Sequence, residues 1–216
     1  MNFLNTILDF IFPPRCLGCK RLGRYVCNKC METVRYSHQR PDENCISILE
    51  YRQSIVKDAI WLLKYKGKRP VGTILARLVY DGLLEELSEM HMMENFSDPI
   101  LIPIPLSKSK CRERGYNQAD IIGRELARLD GNTSFSYDPR ILIKTKDTRS
   151  QAKMHDRESR LRNLRGCFRV TDPDKIKNRN IIILDDITTT GATLHEASAI
   201  LMKAGAKRVL AVAVAH

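Results

Sequence analysis

The stretch IIILDDITTTGAT, Ile181 to Thr193, sets four aliphatic residues before two adjacent aspartates, then a run of hydroxyls broken by a glycine. Ile181 to Leu184 are apolar on both faces, which predicts a central strand of a parallel sheet. From Ala192 to Ala204 the spacing predicts a helix with Ala197, Ile200, Leu201 and Ala204 inward, stopped by Gly205. A strand ending in polar residues and leading straight into a helix is where open α/β sheets bind ligands. Working outward, RVLAVAVA (208–215) predicts a final strand and PILIPIPL (99–106) a short apolar strand ended by its prolines. Three further helices are predicted. One carries Ile55, Ala59, Leu62 and Leu63 on one face, the next Leu75, Leu78, Val79 and Leu83, the third Ile122, Leu126 and Leu129. This alternation argues a doubly wound α/β sheet flanked by helices.

The turn itself has a chemical reading. The first turn of a helix offers backbone N–H groups and the positive end of the dipole. Thr188, Thr189, Thr190 and Thr193 add hydroxyl donors, and Gly191 lets the backbone approach closely, a set that suits a phosphate monoester. Asp185 and Asp186 are acceptors, so beside that anion they would take hydrogen bonds from sugar hydroxyls attached to it. A phosphorylated pentose satisfies both halves, and the acid pair would stabilise positive charge developing at its anomeric carbon. The bland alternative is a strand-end acidic pair with the threonines serving as N-cap residues. Other phosphate motifs are absent: the chain has no GxxxxGK[ST], and no GxGxxG follows a strand.

Cys16-Leu-Gly-Cys19 and Cys27-Asn-Lys-Cys30 form two CxxC pairs seven residues apart. Two such knuckles complete a tetrahedral Zn site, and four thiolates leave no open position, so the expected metal is structural. Neither pair opens a helix after a strand, which argues against a redox motif. Binding of ~10–16 kcal/mol would fold a segment too small to fold unaided. Cys45, Cys111 and Cys167 have no such spacing and read as ordinary thiols.

The 216 residues suit one domain plus a small module, and no apolar run is long enough to span a bilayer. Residues 1–14 begin with Phe3, Ile7 and Ile11 at helical spacing and end at Pro13-Pro14. They predict a short amphipathic helix, docked on the protein or lying on a membrane. With no basic leader or cleavage site there, a cytoplasmic setting with reduced thiols is expected. The formal charge is +11, and Arg140 to Arg169 carries ten Lys/Arg against three Asp/Glu. Such a patch attracts polyphosphate, nucleic acid or anionic membrane alike. Its one aromatic, Phe168, is few for a single-strand binding groove.

The aliphatic-DD-TTTGAT run resembles the phosphoribosyl-pyrophosphate loop of type I phosphoribosyltransferases. With the paired CxxC, LKYKG (63–67), IPIPLSKSKCRERGYNQAD (102–120), TKDTRSQAK (145–153), RLRNLRGCF (160–168) and AGAKRVLAVAVAH (204–216), the chain resembles the ComF competence-protein family from end to end. After the helix expected over 1–14, the resemblance implies a four-cysteine Zn-ribbon over 15–48 and a type I phosphoribosyltransferase-like parallel sheet over 49–216. It implies that Asp185 and Asp186 hold the ribose hydroxyls and that Thr188, Thr189, Thr190, Gly191, Ala192 and Thr193 hold the 5′-phosphate. Pro103 to Lys110 would form the pyrophosphate loop, with Lys108, Lys110, Arg112 and Arg114 facing phosphates. The stretch from Thr148 to Arg165 would form a hood, its Arg157, Arg160 and Arg165 touching pyrophosphate or DNA. Mg²⁺ would accompany phosphoribosyl pyrophosphate, and a nitrogen nucleophile would displace pyrophosphate. Single-stranded DNA and a competence helicase are the implied partners. A ligand sensor or single-stranded DNA binder without catalysis is the competing class. The chain departs from the family pattern at Thr188, usually aliphatic, at Lys110, often arginine, and in having a single four-cysteine set. His195, one turn into the helix after the loop, reads as a solvated residue rather than a general base.

Overall fold

Alternation along two central strands divides the interior into two hydrophobic layers. In Asn180–Ile187, Ile182 and Leu184 face one layer while Ile181 and Ile183 face the other. Arg208–Ala215 sends Leu210, Val212 and Val214 to the first layer, with Val209, Ala211 and Ala213 in the second. These strands read as continuous apolar runs because both faces are covered. The computed structural model describes residues 13–42, 45–147 and 166–216.

In chain order the elements are β1 (Tyr36–Asp42), β2 (Cys45–Leu49), α1 (Ser54–Tyr65), α2 (Pro70–Glu94), β3 (Ile100–Pro103), α3 (Lys108–Arg114), α4 (Gln118–Asp130), β4 (Ser136–Tyr137), β5 (Leu142–Lys144), β6 (Phe168–Val170), β7 (Asn180–Ile187), α5 (Ala192–Lys203) and β8 (Arg208–Ala215). The main sheet has the order β1-β2-β8-β7-β3-β4, and every pair is parallel except β1 with β2. The expected mostly parallel α/β sheet is thus observed. Helices α1, α2 and α4 cover the first layer; α5 and the β5–β6 ribbon cover the second. The chain leaves β3 toward β4 on one side and leaves β7 toward β8 on the other. The crevice between β3 and β7 is therefore the topological switch point.

The segment before β1 is short on regular structure, with one helical turn at Asn28–Met31 and a bridge between Arg15 and Leu22. Strand β1 lies within 15–48 and β2 crosses its end to Leu49; both belong to the six-stranded sheet, β2 pairing with β8 from Cys45↔Ala211 to Leu49↔Ala215. Most of the amphipathic stretch, residues 1–12, lies outside the described residues, as does 148–165 with Arg157, Arg160 and Arg165. Among the described residues no helix is long and apolar enough to cross a membrane.

Candidate functional site

The parallel register aligns the ends of two strands. Pro103 stands opposite Leu184, and Ile104 N–H donates to Leu184 O at 2.8 Å. The loop after β3 and the loop after β7 therefore emerge side by side and enclose a cleft of about 290 Å³. Asp185, Asp186 and residues 188–193 line one side; Ile104 to Ser107, Lys110, Arg114 and Asn117 to Ala119 line the other.

The two aspartates are accommodated by the pleat, which turns successive side chains to opposite faces. Asp186 shares the parity of Leu184 and meets Lys64 of α1 at 2.8 Å, the two side chains only 8% and 16% exposed. Asp185 shares the parity of Ile183, on the side of Lys144 from β5, and its Oδ1 accepts from Asp186 N–H at 2.8 Å. Burial and the Asp186 charge raise Asp185 to about 7, opposed by Lys64 and Lys144.

The hydroxyl turn is held from behind. Thr188 N–H donates to Ala215 O at 3.0 Å, and His216 Nδ1 lies 3.2 Å from Thr188 O. The Thr188 amide is therefore committed to β8, and its side chain, in the place of the usual aliphatic, is buried. Gly191 occupies the N-cap of α5 at φ 71°, a left-handed conformation that L side chains resist. The threonines accordingly do not serve as the cap, which was the bland reading of the sequence.

On the facing wall Ser107 caps α3, and Asn117 caps α4 by accepting from Ala119 N–H at 3.1 Å. Asn117 Nδ2 also donates to Ile104 O at 2.9 Å, pinning the β3 loop to α4. Both α4 and α5 thus direct their positive ends into one cleft. Lys110 reaches it from α3, and burial, then Lys144, Arg114 and Lys64, push its ammonium below the usual range. Burial pushes Lys144 down as well. A polyanion entering here would relieve four converging cations. Asp147, just before residue 148, accepts from Ser109 Oγ at 2.8 Å and is held low by the hydroxyls of Ser107 and Ser109. That contact ties the chain just after β5 to the first turn of α3.

The structure brings together Asp185, Asp186, the 188–193 turn, Lys110 and Arg114. It does not bring in Lys108 or Arg112, which are exposed and outside the cleft lining. His195 is exposed and lines a different depression with Glu94 and Cys45. Sequence reading missed Lys64, Lys144 and Gln118. Lys64 and Gln118 lay within the quoted LKYKG and GYNQAD stretches, but nothing there marks a role until the fold closes.

Away from the cleft, the Sγ atoms of Cys16, Cys19, Cys27 and Cys30 all lie within 4.8 Å of one another. Burial opposes ionisation of Cys16, but N–H donors from Cys27, Cys19 and Gly18 bring it down to about 6. Four sulfurs so placed fit the Zn-ribbon donor set.

The family description "Phosphoribosyl transferase domain" matches residues 111–216. The chain is 26% identical over 203 residues to the DNA utilization protein YhgH of Escherichia coli K12, covering 90% of this chain and 85% of that one. It is 25% identical over 197 residues to Competence protein F of Haemophilus influenzae, covering 91% and 82%. To Competence protein ComFC of Bacillus subtilis it is 38% identical over 106 residues, 49% of this chain and 39% of that one. Among solved structures it resembles the hypoxanthine-guanine phosphoribosyl transferase of Leishmania donovani at 13% identity and a TM-score of 0.38, covering 67% of each chain.

Proposed function

Since the chain is a ComF-like protein carrying a phosphoribosyl transferase domain, we propose that its cleft binds phosphoribosyl pyrophosphate with Mg²⁺ and transfers the phosphoribosyl group to a nitrogen nucleophile. The observation that carries this reading is the convergence on one switch-point cleft of an acid pair, a hydroxyl-rich helix start and the cations Lys64, Lys110, Lys144 and Arg114.

Asp185 and Asp186 accept from the ribose hydroxyls. The turn from Thr189 to Thr193, capped at Gly191, receives the 5′-phosphate at the start of α5. Lys110 and Arg114 hold the diphosphate leaving group. The bond from the anomeric carbon to that group breaks as the acceptor nitrogen bonds there, and the acid pair stabilises the positive charge developing between them. Positioning and electrostatics carry this step. Among the described residues no three carboxylates or imidazoles gather to cage a cation. Mg²⁺ characteristically takes one or two carboxylates together with substrate oxygens, which the Asp pair fits. When bound, the ion supplies neutralisation of leaving-group charge.

Calorimetry with phosphoribosyl pyrophosphate and Mg²⁺ is expected to show binding that weakens at least about tenfold in Asp186→Asn. Absence of any heat with the wild type overturns the assignment. Pyrophosphate release against a panel of bases and amines then separates transferase from binder. The relatives' names, DNA utilization and competence, together with the +11 charge favour a second reading: a phosphoribosyl-ligand binder that also holds single-stranded DNA. That reading requires ligand binding with no pyrophosphate released for any acceptor, and oligonucleotide retained only at low salt.

A further inference from the structure

Gln118 is the first residue of α4, is 1% exposed and lines the cleft. Its Oε1 accepts from Arg114 Nη1 at 3.0 Å, whereas its Nε2 finds no hydrogen-bond partner. A buried amide donor left unsatisfied costs about 1–3 kcal/mol, so it calls for an acceptor that arrives from outside. Its neighbour shows the contrast: Asn117 spends both side-chain atoms on the protein, capping α4 and tethering Ile104.

Arg114 is held on two sides, by Gln118 and by the Tyr65 ring, whose centroid lies 5.5 Å from the guanidinium carbon. A guanidinium fixed in this way retains donors for a planar anionic partner. Lys110 lies on the same wall. The start of α4, a helix of 13 residues, adds its positive end there. The unsatisfied donor therefore stands among cations, and what it lacks is an anionic oxygen. The hydroxyl turn at the start of α5 forms the opposite wall, so two separate anionic groups fit the cleft, one at each helix start.

We propose that Gln118 is a ligand-reading residue: its Nε2 donates to an oxygen of the diphosphate group while its Oε1 holds Arg114 against the same group. The inference rests on the phosphoribosyl pyrophosphate reading and deepens it, because it makes the diphosphate wall, and not the 5′-phosphate turn, depend on one amide. Gln118 then sets preference for a diphosphate-bearing sugar over the plain sugar phosphate.

The test measures affinity of the full chain for inorganic pyrophosphate and for ribose 5-phosphate, each with Mg²⁺. Wild type is compared with Gln118→Met, which removes both polar atoms, and with Gln118→Glu, which keeps an acceptor for Arg114 and removes the donor. Pyrophosphate affinity is expected to fall about tenfold or more in Gln118→Met and further in Gln118→Glu. Ribose 5-phosphate affinity is expected to stay within about twofold in Gln118→Met, since its anionic group lies on the other wall. Thermal unfolding checks each variant, and one that has lost its transition is judged by the other. If both variants hold pyrophosphate as tightly as wild type, or a folded variant loses both ligands equally, the inference is overturned. A wild type that binds neither ligand overturns the underlying reading instead.

Discussion

At the residue scale, Asp185 joins legibility to pH. Its place in an acid pair at a strand-end cleft was readable from sequence, because the two acids stand between an apolar strand and a hydroxyl turn. Its protonation was not readable, since Lys64 and Lys144 come from α1 and β5, 121 and 41 residues earlier. Raised to about 7, the carboxyl binds a proton more tightly folded than unfolded. Between the unfolded value near 4 and 7, stability therefore falls as pH rises, by at most about 1.4 kcal/mol per unit. Below that window the group is protonated in both states and contributes nothing; above it the cost is constant. Asp185→Asn keeps an acceptor for Asp186 N–H and removes the cost. Denaturant unfolding is expected to show the variant more stable than wild type at pH 8, with the advantage shrinking to nothing near pH 4. A difference that does not vary with pH would count against a half-buried, proton-binding Asp185.

At the element scale, sequence periodicity located the helices and central strands well because their apolar residues face real layers. Leu75, Leu78, Val79 and Leu83 of α2 are all buried, as expected. Periodicity does not show how closely two helices approach. Gly72, at the start of α2, is buried against α4: a Cβ there would come within 2.4 Å of Ile121 Cγ2. The close approach sets α2 on α4, the helix whose first turn lines the cleft. Gly72→Ala removes a helix-weakening glycine, worth up to about 1 kcal/mol in favour, but forces a branched side chain to move, costing about 1–3 kcal/mol. The clash dominates, so a net loss is expected, read as a lower denaturant midpoint. Adding Ile121→Ala, which removes the obstructing methyl, should make the two changes non-additive, the double variant losing less than the sum. Strict additivity would mean the helices do not meet at Gly72.

At the scale of the whole molecule, the sequence separates a cysteine module from an α/β domain, and the folded chain joins them by three kinds of contact. The strand that follows the module, β2, pairs with β8, whose far end also holds the Thr188 amide. CISIL is too short to declare its sheet partner from periodicity, and that partner begins at Arg208. Val26 and Val34 share a buried cluster with Ile55 and Val56 of α1, and Gln53 brackets the Arg35 backbone with two bonds of 2.7 Å. The Cys16–Cys19 turn itself seats on that helix: a Cβ on Gly18 would lie 2.7 Å from Cys30 Sγ and 3.1 Å from Ile55 Cδ1. A metal held by the four sulfurs would then stabilise more than its own loops. We propose that the two segments unfold as one cooperative unit. Stripping metal with a chelator under reducing conditions, or replacing Cys27 with serine, should lower a single thermal midpoint of the whole chain by at least about 5 °C. Trp61, the chain's one tryptophan, sits on α1 and reports the domain side of the contact by fluorescence, while far-ultraviolet dichroism reports the sheet and helices. Coincident, equally shifted transitions by both probes are expected. A main transition left unmoved in both probes by metal removal and by the Cys27 replacement would show instead that the cysteine module is an independent appendage.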